Sequence, residues 1–248
     1  GHDPAQAAGH FTSGGTIANF EALSRAKERL ALWLATGAFL RKKHGSTLSL
    51  FECAHMGWSH FDRELERCSI ALSGIGEKIR TWNTADVGPW LAAGRLANAY
   101  GTPFQGPLLF VPRHRHYSWE KGAALLGLGH EAIQPIELGS DGRLSLDSLR
   151  LQLERAARQQ RPVLMVVSVA GTTELGQIDP VDEVQDLLDE WQREKGISIW
   201  HHVDAAYGGF FCSLAASTAE VLGGPAARAL AAISRADSTT LDPHKLGY

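Results

Sequence analysis

The run STTLDPHKLGY, from Ser238 to Tyr248, sets a single lysine, Lys245, behind a threonine-rich stretch that reads as a strand. A lysine amine attacks carbonyl carbons and forms Schiff bases when its surroundings keep it reactive. Four other stretches carry residues of comparable interest. TSGGT, from Thr12 to Thr16, opens a helical pattern with two glycines and the hydroxyls of Ser13 and Thr16, as an anion-binding turn does. It lacks the GK[ST] of a P-loop, and taken alone it also reads as a glycine turn with a threonine cap. HYSWEKGA begins at His116, where a strand gives way to a helix; alone, such a histidine also reads as a surface or capping residue. VAGTTELG puts Thr172 and Thr173 just after an apolar run, which also fits a simple turn. HVDAAYGG ends a strand on Asp204, with Ala205 and Ala206 behind it. A carboxylate at a buried strand end needs a cation or donors, although an N-cap would also place an aspartate there. His114 and His116 share one strand face but have no third ligand at a recognisable metal spacing, so no metal is expected.

These stretches must be held by regular elements, and the second half of the chain alternates between two periods. PLLFV, EAIQPIEL, RPVLMVVSVAG and ISIWHHVD read as strands, and the third has the unbroken apolar character of a strand covered on both faces. Between them, HYSWEKGAALLGL, LSLDSLRLQLERAARQQ and DPVDEVQDLLDEWQREKG have helical spacing. The last is expected to start with Asp179 as its cap and Pro180 in its first turn, and to stop at Gly196. Strands alternating with helices imply right-handed βαβ units in a mostly parallel sheet. Ligands bind such sheets at the carboxyl ends of the strands, where four of the five stretches lie. GLGHEA, from Gly127, fits a dinucleotide fingerprint but precedes a strand instead of following one, which excludes that reading. The first half predicts a long amphipathic helix after the Gly-Gly turn, with Leu30 to Leu40 as a buried segment. Residues 41–106 are partly helical and less regular.

With 248 residues the chain can bury a substantial core, and no linker is evident, so residues 1–248 read as one α/β domain. Hydrophobic residues make up 44% and charged ones 21%, and the net charge is -3. That balance gives no reason to expect nucleic acid or an anionic membrane as partner. Three widely spaced cysteines without a CxxC pair suggest free thiols and a cytoplasmic setting. The opening GHDPAQAAGH has no signal-peptide pattern.

An anion cradle, an imidazole, hydroxyls, a buried acid and a lone lysine together match the needs of pyridoxal phosphate. At these residues the sequence resembles the group II pyridoxal-phosphate-dependent amino acid decarboxylases. GHFTSGGTIAN, HYSWEKGA, VAGTTELGQIDP, HHVDAAYGG and DPHKLGY occur in that family's order over nearly the whole chain. The resemblance implies the large domain of a fold type I transferase, a mostly parallel sheet flanked by helices. It also implies that the chain is truncated, with an N-terminal segment, the end of the large domain, a mobile catalytic loop and a small C-terminal domain lying outside it. Residue by residue, it implies Lys245 as the Schiff-base lysine, Asp204 on the pyridine nitrogen, and His116 stacked on the ring with Ala206 on its other side. Gly15 and Thr16 would bind the phosphate with help from His244, and Thr172 would lie at the ring's polar edge. The implied reaction converts an L-amino acid to its amine and CO2, in a homodimer. The wording, nearest to bacterial and archaeal tyrosine decarboxylases, favours an aromatic substrate. A carbon–carbon lyase, an aminotransferase, or a truncated chain that only binds the cofactor would carry the same motifs.

Overall fold

A computed structural model describes residue 5, residues 7–214 and residues 223–246. The first residues of the opening segment, and Gly247 and Tyr248 of the lysine motif, lie outside the described residues. Five strands form one sheet: β1 (Leu108–Pro112), β2 (Ile133–Ile136), β3 (Val163–Val169), β4 (His201–Asp204) and β5 (Ser238–Thr240). Their order is β2-β1-β3-β4-β5, and every neighbouring pair is parallel. The expected α/β fold with a parallel sheet is therefore the one observed.

The helices in chain order are α1 (Gly15–His44), α2 (Leu50–Ala54), α3 (Gly57–Arg67), α4 (Leu72–Ile79), α5 (Thr84–Val87), α6 (Pro89–Tyr100), α7 (Ser118–Leu125), α8 (Leu146–Arg158), α9 (Val181–Lys195), α10 (Gly224–Ala232) and the short α11 (Pro243–Leu246). Residues 41–106, read as partly helical, thus hold α2 to α6. On one face, Leu109 and Val111 of β1 and Met165 and Val167 of β3 pack with Leu23, Leu30 and Trp33 of α1. On the other, Leu108, Phe110, Val163 and Val166 meet Leu149 and Leu153 of α8 and Val184, Leu188 and Trp191 of α9. All seven residues of β3 are buried, which explains its unbroken apolar run. Each such side chain contributes about 1.5–3 kcal/mol relative to exposure.

Helix α1 follows the expectation of an amphipathic start and a buried segment from Leu30 to Leu40. Its first half buries a stripe, Asn19, Leu23, Ala26 and Leu30, at helical spacing. From Leu34 to Leu40 every residue is buried. The approach of α2 and α6 causes this: a Cβ on Gly37 would collide with Cys53 and Tyr100. Helix α9 ends as expected on Gly196, which is left-handed at φ 67°. Its start differs. Pro180 occupies the cap position without a side-chain bond, and Asp179 turns elsewhere. Among the described residues, no helix is long and apolar enough to cross a membrane.

The chain runs from β1 outward to β2 and then crosses back to β3 on the far side of β1. The two crossovers leave in opposite directions and open a crevice between the carboxyl ends of β1 and β3.

Candidate active site

A cavity of about 570 Å³ occupies that crevice. Its walls come from the start of α1, from the loops after β1, β3 and β4, and from α11 with the turn before it. Gly15, Thr16, His116, Thr172, Asp204, Ala206 and Lys245, read from five separate motifs, all line it. His244 does not. Its side chain is 88% exposed and its ring Nδ1 lies 3.3 Å from Asp242 Oδ1. The turn of α11 points the two neighbouring side chains in different directions, so only Lys245 faces inward.

The floor is built by close backbone approach. Gly171 sits at φ 93°, and a Cβ there would lie 2.8 Å from the backbone nitrogen of Gly208. Gly208 N–H donates to the carbonyl of Ala170 at 2.9 Å. The loops after β3 and β4 are thereby stitched together, which brings Thr172 and Ala206 into one cavity. Thr172 accepts a bond from Gln177 N at 3.0 Å, and this holds its turn closed. Gly15 fits against the β4 loop: a Cβ on it would stand 3.2 Å from the Cβ of Ala206. Gly14, at φ 141°, turns the chain into α1, whose first turn carries no acidic residue. Ile17 N and Ala18 N both donate to the Gly14 carbonyl at 3.1 Å, so the N–H groups of Gly15 and Thr16 are the ones that suit an anion.

Asp204 is buried. Oδ2 accepts from Asn19 Nδ2 at 2.8 Å and Oδ1 from Ala206 N at 3.3 Å. Neither partner is a cation. A buried carboxylate held only by neutral donors on a cavity wall favours a positively charged group in that cavity. At His116, the backbone N–H of Ser118 points at Nδ1 from 3.3 Å. Nδ1 therefore accepts, and in the neutral ring the proton sits on Nε2. Lys245 Nζ lies 5.8 Å from the ring centre of Tyr207.

The sequence reading missed three residues. Asn19 lies one helical turn after Thr16, on the inward stripe of α1, and that spacing was the available signal. Asp242 puts a carboxylate on the wall near Gly15, and its Oδ1 also accepts from His244 N at 3.0 Å. Asp179, read as a helix cap, is fully buried instead. Its Oδ1 accepts from Leu144 N at 2.7 Å and from His114 Nε2 at 3.0 Å, and its Oδ2 from Val169 N at 2.8 Å. It ties the loop before α8, the end of β3 and the cavity-lining His114 to one point.

Comparison with known proteins agrees with this geometry. Residues 103–248 match the family described as the pyridoxal-dependent decarboxylase conserved domain. The chain belongs to that family. An L-tyrosine decarboxylase of Enterococcus faecium is 32% identical over 97% of the chain. A cysteine sulfinic acid decarboxylase of Rattus norvegicus is 33% identical over 66% of it, and an L-2,4-diaminobutyrate decarboxylase of Rhizobium meliloti 38% over 56%. The chain spans 40%, 34% and 25% of these relatives, respectively. The crystal structure of mouse CSAD superposes with a TM-score of 0.52 at 26% identity, over 96% of this chain and 34% of that one. The family's cofactor is a pyridoxal, and the donor set fits it: an inward lysine, an unneutralised buried acid and an anion-binding turn on one cavity.

Proposed function

We propose that this chain forms the cofactor-binding part of an enzyme that removes the carboxylate of an L-amino acid as CO2, with an aromatic amino acid such as tyrosine as substrate. The observation that carries the proposal is Asp204. Among the described residues it is a buried carboxylate without a cationic partner, and it lines the same cavity as Lys245. Bound there, pyridoxal phosphate supplies a carbonyl carbon for amines and a ring that accepts the electron pair left when CO2 departs. Lys245 would hold the cofactor covalently through its amine. Asp204 keeps a proton on the ring nitrogen. His116, with Nε2–H free, and Ala206 confine the ring, and Thr172 meets its polar edge. Gly15, Thr16 and the first turn of α1 hold the phosphate. His244 supports that end indirectly, by donating to Asp242, which otherwise sets a bare carboxylate near the anion.

The aromatic preference rests on the motif wording and on the similarity to a tyrosine decarboxylase over most of the chain. A homodimeric, cytoplasmic enzyme is part of the same reading. Free Cys53, Cys68 and Cys212 support a reducing compartment.

The test uses the full-length protein. Adding pyridoxal phosphate should produce a visible absorbance band, and amino acids should then release CO2 and the matching amine, tyrosine fastest. Lys245→Ala should abolish the band. A band that survives in Lys245→Ala removes the lysine from its role, and a keto acid or aldehyde product replaces the decarboxylase reading with a transaminase or lyase.

A further inference from the structure

Among the described residues, Asn19 is the single side chain that donates to Asp204, and it does so from α1, 185 residues away in sequence. The same Nδ2 points at Ser118 Oγ at 3.0 Å. Ser118 in turn aims its backbone N–H at Nδ1 of His116. Asn19 and Ser118 are both buried, so water does not replace these bonds. The path Asp204–Asn19–Ser118–His116 therefore links the acid and the imidazole of the cavity through two polar side chains that take no part in the reaction. A carboxylate accepts only, which fixes the amide orientation: Nδ2 faces Asp204 and Oδ1 faces away.

Oδ1 of Asn19 is buried without any hydrogen-bond partner. Leaving a buried acceptor unpaired is destabilising, and an apolar residue of similar shape would avoid that loss. Asn19 thus leaves its oxygen unused while its Nδ2 serves the buried carboxylate, the arrangement of a residue set to orient Asp204.

We infer that Asn19, seated on Ser118, is a positioning residue that holds the Asp204 carboxylate toward the cofactor nitrogen and sets its place relative to His116. The inference rests on the proposed role of Asp204.

The experiment is an equilibrium titration of the full-length apo-protein with pyridoxal phosphate, followed by absorbance, with thermal unfolding of the apo-protein as a folding control. Asn19→Leu keeps the volume and removes the donor. It should raise the cofactor Kd about tenfold or more, as loss of a bond to a charged group does, while the apo-protein still unfolds in one cooperative transition, at a lower temperature because the buried carboxylate has lost its donor. Ser118→Ala should shift Kd in the same direction by less. In an Asp204→Ala background, Asn19→Leu should add no further change, because its partner is gone. If leucine at 19 prevents folding, Asn19→Ala gives the same comparison. A Kd for Asn19→Leu within twofold of wild type overturns the inference, and so does an equal effect with and without Asp204. Wild-type protein that takes up no cofactor overturns the reading of the whole site, a result distinct from either.

Discussion

Two aspartates show how little a residue type says without its partners. Asp204 meets neutral donors only and faces a cavity. Asp204→Asn keeps the shape and removes the charge. Steady-state assays should show turnover reduced about a hundredfold or more, with the circular dichroism of the fold unchanged. Asp179, equally acidic and more deeply buried, serves structure. Asp179→Ala would strand the N–H groups of Leu144 and Val169 and the ring of His114. Denaturant titration should register a loss of about 3–5 kcal/mol. A loss under about 1 kcal/mol would mean that the loops before α8 and after β3 are held by something else.

Among the elements, the loops matter more than the strands they follow. The parallel sheet is a scaffold whose crossover reversal between β1 and β3 leaves room for a ligand. What shapes that room is the contact between Gly171 and Gly208. Gly171→Ala adds a Cβ to a left-handed backbone and drives it into the next loop. We expect about 1–3 kcal/mol of destabilisation and weaker cofactor uptake together, because Thr172 moves with its turn. Gly94 in α6 is the counter-case: it is helical with open space around its Cα. Gly94→Ala should stabilise the protein by about 0.5–1 kcal/mol and leave cofactor uptake as it was. Melting curves of the two variants should move in opposite directions.

For the molecule as a whole, the clearest expectation concerns acid. Burial pushes three fully buried histidines down from 6.5, His55 to about 4 and both His201 and His202 to about 3. Burial holds these rings neutral, and they pair with hydroxyls, Ser168 Oγ with His201 Nε2 and Ser238 Oγ with His202 Nδ1. Unfolded chains bind those protons first, so stability is intact above about pH 6.5 and falls between there and pH 4. Each histidine adds about 1.4 kcal/mol per pH unit to the slope. Asp237 acts in the opposite direction, since burial raises it and the folded state keeps its proton longer. Glu137, held down by its bond from the Arg113 side chain, and Asp141, held down by the Arg143 backbone, add to the uptake, so the net proton uptake on unfolding between pH 6 and 4 should be positive. Denaturant midpoints measured across that range give this number directly, and a flat profile would contradict the neutral burial of these rings.

Much of this protein was legible along the chain. Apolar runs with period 2 and helical spacing between them depend on neighbours in sequence, and they define the strands, α7 to α9 and the parallel sheet. The strand-end motifs, and the lysine among them, follow from the same local rules, since a loop after a buried strand must open at the sheet's carboxyl edge. Other features were decided only when the elements packed. Asn19 reaches Asp204, Asp179 leaves its helix to gather three donors, and His244 turns outward. Each depends on which surfaces meet across long stretches of chain, and hydrophobic periodicity is the same whichever neighbour covers it. Local pattern assigns a residue to an element and a face; only the packed sheet assigns it a partner.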